Sequence, residues 1–178
     1  KLLAQRGIGT EPPLQRLTGL TLGTKPATAD LADALQHTWS EFGVEVDIDV
    51  APSAMDAERV AKGQVPAFRK SWLADYPDAE NFLGLFDATR WAPNGPNYTH
   101  YATPKADSLL AAASRALPGP RREQTLRELE QHVMQSMPVI PLWHDEVLHL
   151  VSSEWSGWRI SPINRLDLRH VHRRTLHE

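Results

Sequence analysis

The chain has 178 residues, 41% of them apolar, and a formal net charge of −3. That size suits one α/β domain, or one domain plus a piece of another, and the charge leaves no electrostatic footprint for nucleic acid. Cysteine is absent, which excludes disulfides, thiolate metal sites and a cysteine nucleophile, and no apolar run approaches the ~20 residues that would span a membrane as a helix.

The opening Lys1-Leu2-Leu3-Ala4-Gln5-Arg6-Gly7 reads as the end of a helix closed by a glycine. The chain is therefore expected to be part of something longer, and missing targeting signals carry no weight. Ile8 to Leu17, with Gly9, Pro12 and Pro13, reads as a loop, and Leu20-Thr21-Leu22 begins a short strand. Pro26 to Asp30 leads into a helix that sets Leu31, Leu35, Trp39 and Phe42 on one face, with Gly43 as its stop. Val44, Val46, Ile48 and Val50 then alternate with Glu45, Asp47 and Asp49. This period of two predicts a strand with one buried and one polar face. The acidic face reads as solvated rather than as a metal site. Met55 to Lys62 predicts a short helix stopped by Gly63.

Ala67 to Trp72 predicts the next strand, followed by a turn through Asp75, Tyr76 and Pro77 and a helix from near Asp78. Strand and helix alternate to this point, and such crossovers give mostly parallel neighbours. Ligands of these sheets gather at the carboxyl ends of the strands. Two readings of Trp72 and Asp75 fit. In one, an indole face and a fixed negative charge receive a ligand with an apolar body and a cationic group. In the other, they are a core tryptophan and a helix-capping aspartate.

Downstream, Phe82, Leu83 and Phe86 form a packing face, and the turn-rich Trp91 to Thr99 is a loop. Tyr98 and Tyr101 combine apolar bodies with hydrogen-bonding tips, which suits either a pocket lining or a loop pin. Thr103 caps a helix begun by Pro104, with Ala106, Leu109, Leu110, Ala113 and Leu117 as its stripe. After Pro118-Gly119-Pro120 a second helix carries Leu126, Leu129, Val133 and Met137, leaving Arg122, Arg127 and Glu128 as solvated. From Pro138 the composition shifts: Val139 to Trp143, Val147 to Val151 and Leu166 to Arg169 read as strands with no helix to cover them. Their apolar face is expected to lie against another part of the full protein.

His144, Asp145, Glu146 and His149 lack metalloprotease spacing, and His170 and His172 lie in a charged tail. No Gly-rich phosphate loop or nucleophile elbow occurs. Nothing assembles an acid, a base and a nucleophile, so an enzyme is disfavoured, and no cofactor or metal is expected.

The runs SWLADYPDAENFLGLF, NYTHYATPKADSLLAAA and ELEQHVMQSMPVIPLWHDEVLHLV, in this order, resemble the family 5 extracellular solute-binding proteins. These are the dipeptide, oligopeptide and nickel receptors of bacterial ABC importers. The resemblance implies a periplasmic-binding-protein-like α/β lobe, its mostly parallel sheet flanked by helices, with a strand-rich C-terminal return segment. Lys1 to Met137 would be the second large lobe. Residues 138–178 would cross the hinge and return to an absent first lobe. It further implies a substrate-binding component that is periplasmic or extracellular and works with a membrane permease. Its ligand would be a short peptide, because nickel-binding members depart from the WxxDY pattern.

In peptide-binding members the aspartate of that run, here Asp75, receives the ligand's α-ammonium, and the tryptophan, here Trp72, lines the side-chain pocket. Arg69 matches a position that meets a ligand carboxylate in some members. Tyr76, which closes the WxxDY run, and Tyr98 complete the candidate ligand-binding set. The alternative is the same clamp serving as the sensor domain of a transcriptional regulator.

Overall fold

The computed structural model describes residues 15–21, 27–49, 53–161 and 165–174. The chain divides into two compact units, Lys1–Trp72 with Leu85–Asp107, and Leu73–Gly84 with Ser108–Glu178. The readings made for Lys1 to Gly7 and for Leu22 and Val50 lie outside the described residues.

In the first unit, strand β1 (Gln15–Thr21) is followed by helix α1 (Ala27–Ser40), strand β2 (Val44–Asp49), helix α2 (Ser53–Ala61) and strand β3 (Ala67–Phe68). The sheet order is β2-β1-β3 and both pairings are parallel. The register runs Gln15↔Val44 to Thr18↔Asp47, then shifts so that Leu20 faces Ile48. The alternation in β2 works as predicted. Val46 is buried with Leu20, and Leu31, Leu35 and Trp39 of α1 pack against this pair. Leu20 and Val46, both buried, each contribute about 2 kcal/mol by leaving water. Gln36 of α1 donates from Nε2 to the Val46 carbonyl at 2.8 Å, tying helix to strand.

Several expectations are corrected here. Gln15 to Leu17 belong to β1 rather than to a loop, because Val44 to Val46 offer them a ladder partner. The acidic face of β2 is not simply solvated: Arg59 of α2 donates to Asp49 at 2.7 Å. The strand predicted through Trp72 is shorter: β3 spans only Ala67 and Phe68, which pair with Leu20 and Thr21 of β1. Phe42 is exposed just beyond the end of α1.

Beyond β3, short 3₁₀ turns at Gly84–Phe86 and Ala88–Arg90 lead into a loop pinned by Asn97. This side chain is fully buried. It donates to the carbonyls of Asp87 at 3.0 Å and Tyr101 at 2.9 Å and accepts from Thr99. The Tyr101 ring meets Phe86 edge-on at 5.9 Å, and Trp91 stacks on His100 at 5.1 Å. Tyr101 therefore takes the loop-pinning role.

The second unit contains helix α3 (Ala79–Leu83), most of α4 (Pro104–Arg115) and α5 (Pro120–Ser136). Thr103 caps α4 by accepting from the Ala106 N–H. Leu110 and Ala113 of α4 and Leu126, Leu129 and Val133 of α5 are buried as their spacing predicts. Leu117 and Met137 are exposed. Leu117 lies past the end of α4, and Met137 is the left-handed C-cap of α5, at φ 48°.

The strand-rich return segment is corrected as well. Its only strands among the described residues are β4 (Trp155–Ser156) and β5 (His172–Arg173), paired antiparallel. Val139 to Trp143, Val147 to Val151 and Leu166 to Arg169 have no regular structure. A strand is held by a neighbour's ladder, and among the described residues no strand is paired with these stretches.

Candidate functional site

Arg69, Lys70 and Trp72 follow the carboxyl end of β3, the end at which parallel sheets present ligand-facing residues. Arg69 and Trp72 are half-buried, and Lys70 is exposed. The Lys70 Nζ lies 3.4 Å from the centroid of the Tyr98 ring, a cation–π contact. Tyr98 is thus half-buried with one ring face already engaged, and its N–H donates to the Pro96 carbonyl at 3.0 Å. Arg69, Trp72 and Tyr98 all belong to the first unit.

Asp75 and Tyr76 belong to the second unit and both are exposed. Asp75 is not the cap of the next helix. That role falls to Asp78, whose Oδ1 accepts from the Glu80 N–H at 2.8 Å. The Asp75 turn is closed by the Asp78 N–H donating to the Tyr76 carbonyl at 2.9 Å, and by Asn81. The Asp75 N–H donates to Asn81 Oδ1 at 3.3 Å, and Asn81 Nδ2 donates to Asp75 Oδ2 at 3.4 Å. Asn81 itself is buried on α3.

A helix of five residues is too short to hold itself in water. α3 is fastened by Arg122 in the first turn of α5. Its guanidinium donates to both Asp78 carboxylate oxygens, at 2.7 and 3.0 Å, to Glu80 at 2.5 Å, and through Nε to the Ala113 carbonyl at 3.2 Å. Ser114 adds a hydrogen bond to the other Glu80 oxygen at 2.6 Å. The Arg122 side chain is only 13% exposed, so the expectation that it is solvated is corrected. It lies off the apolar stripe, but α3 covers it. Arg122, followed by the backbone N–H of Glu80, holds the Asp78 carboxyl below the usual carboxylate range, and the two carboxylates raise Arg122 above its ordinary value.

Sequence reasoning missed Lys70, Asn81 and the Asp78–Glu80–Arg122 cluster. Lys70 and Arg122 meet partners far along the chain, and no spacing motif announces the nearer Asp75–Asn81 contact. The only available signal was Asp78 ahead of α3, which fits an N-cap. In the tail, His144, Asp145 and Glu146 are exposed, and Asp145 accepts from the Trp143 indole at 2.8 Å. No group of three or more His, Asp or Glu among the described residues is arranged to hold a metal ion. No described helix is long and apolar enough to cross a membrane.

Residues 1–94 match the family model described as bacterial extracellular solute-binding proteins, family 5 Middle. Oligopeptide-binding protein OppA of Bacillus subtilis is 28% identical over 144 residues, covering 80% of this chain and 26% of that protein. A probable di/tripeptide-binding protein 5 of Pseudomonas aeruginosa is 25% identical over 171 residues, covering 96% of this chain and 32% of its own length. The solved murein tripeptide binding protein MppA of Escherichia coli superposes with a TM-score of 0.78 at 25% identity, over 97% of this chain and 33% of that one. Helicobacter pylori DppA in complex with peptide STSA shares the fold, with a TM-score of 0.72 at 24% identity over 97% of this chain and 33% of that one. The chain thus spans about a third or less of the length of the curated relatives it matches.

Proposed function

Because the chain belongs to family 5 of the bacterial extracellular solute-binding proteins, we propose that it is one lobe of a receptor that binds short peptides and hands them to the membrane permease of an ABC importer. The observation that carries this reading is the family match over residues 1–94, joined to relatives named for oligopeptide and di/tripeptide binding. The receptor works in the periplasm or at the cell exterior. It binds its ligand and catalyses nothing.

In this reading Lys1–Met137 is the second large lobe, and residues 138–178 cross the hinge toward a first lobe outside this chain. The exposed Ile140, Leu142, Trp143, Leu148 and Leu150 support this, since a run of apolar side chains in water calls for a covering partner. Asp75 receives the peptide's α-ammonium, Trp72 lines the side-chain pocket, Arg69 meets a ligand carboxylate, and Tyr76 and Tyr98 flank the ligand. The exposure of the Asp75 carboxylate supports its role.

The test is peptide binding by the intact two-lobed protein. Asp75→Asn is expected to weaken binding of free-amine peptides by about 2 kcal/mol or more, through loss of one charge in a desolvated pair. Unchanged affinity in that variant by calorimetry removes Asp75 from the site.

A further inference from the structure

We infer that Asn81 is a positioning residue for ammonium capture: its buried amide orients the Asp75 carboxylate, and Arg122 holds the helix that carries Asn81 through Asp78 and Glu80. The inference rests on the reading that Asp75 receives the peptide's ammonium.

The contact between Asn81 and Asp75 has two points. Asn81 meets one residue with both ends of its amide, accepting from the Asp75 N–H and donating to Asp75 Oδ2. The amide orientation is fixed by its partners. Flipped, its oxygen would face a carboxylate and its NH₂ would face an N–H, both repulsive. The contact engages one oxygen of Asp75 and leaves Oδ1 without a hydrogen bond among the described residues. An exposed carboxylate on a turn would otherwise sample several rotamers, and ordering it on binding costs free energy. A carboxylate already oriented avoids much of that cost.

Asn81 can do this only if α3 stays where it is. The helix has a single turn and Phe82 on its surface is exposed. Its own packing is therefore thin, and its hold comes from polar contacts. Arg122 joins the start of α3, the last turn of α4 and the start of α5 at one guanidinium. A lysine would supply the charge without the planar fork that reaches two carboxylates and a carbonyl together. The Asp75 carboxylate is thus linked by direct contacts to a residue far along the chain that does not touch it.

The experiment uses the intact protein with its first lobe. A synthetic tripeptide library, free and N-acetylated in competition, is offered, and the retained peptides are read by mass spectrometry. Wild type is expected to prefer the free-amine form, and Asp75→Asn to lose that preference. Asn81→Leu and Arg122→Gln are each expected to cut it about tenfold while leaving retention of acetylated peptides unchanged. A merely structural role would lower both alike. Arg122→Lys is expected not to restore it. Amide exchange at Asp75 should accelerate in Asn81→Leu and stay slow in Asp75→Asn. If Asp75→Asn loses the preference and Asn81→Leu keeps it, the inference is overturned and the peptide reading stands. A preference intact in Asp75→Asn overturns both. Should Asn81→Leu not fold, Arg122→Lys decides, since an undiminished preference there breaks the proposed linkage.

Discussion

Arg122 shows how far a residue's role can depart from its place in a local pattern. On α5 it is one more polar position, yet it is nearly covered and bonds two carboxylates of α3. The pairing gives the chain a defined acid sensitivity. The folded-state pKa of Asp78 lies below its unfolded value of about 3.9. The stabilisation is therefore fully present above about pH 4 and is lost as pH falls through the folded value. Arg122→Gln is expected to lower unfolding stability by about 2 kcal/mol at neutral pH. The gap from wild type should shrink as urea titrations are repeated below about pH 4. A gap that stays constant down to pH 2 would mean that Asp78 takes no part. Asp49 makes the same point on a smaller scale: it reads as one of three solvated carboxylates until α2 brings Arg59 to within 2.7 Å.

At the scale of elements, the sheet and helices follow their periodicities, whereas the stops depend on neighbours. Gly63 closes α2 at φ +66°, the left-handed region that favours glycine. A Cβ there would also lie 2.7 Å from His100 Nδ1. Gly63→Ala is expected to destabilise the chain by more than the ~1 kcal/mol that the backbone conformation alone costs. Adding His100→Ala should recover only the steric part in thermal melts. Full recovery in the double variant would refute backbone strain at this position. β3 teaches the converse, for Ala67 to Trp72 has strand-forming residues but, among the described residues, pairs over only Ala67 and Phe68.

For the molecule as a whole, the tail from Pro138 leaves Ile140, Trp143, Leu148 and Leu150 in solvent. On the proposed function, the isolated chain is expected to bind an apolar fluorescent dye, and adding the first lobe should quench that signal. A signal indifferent to the first lobe would leave the tail without its proposed partner. Much of this protein was legible in one dimension. The alternation of Val44 to Ile48, the stripes of α4 and α5 and the WxxDY run are all local, because neighbours a few positions away set which face a residue presents. The role of Asn97 as the buried linchpin of its loop, the Lys70–Tyr98 contact and the Arg122 cluster were not, since each needs residues brought together by folding. The sequence by itself determined which segments are helices, which strand alternates and which family the chain resembles. Only the tertiary structure decided where strands end and which charges are paired, because a ladder bond or an ion pair exists only when a distant partner arrives in register.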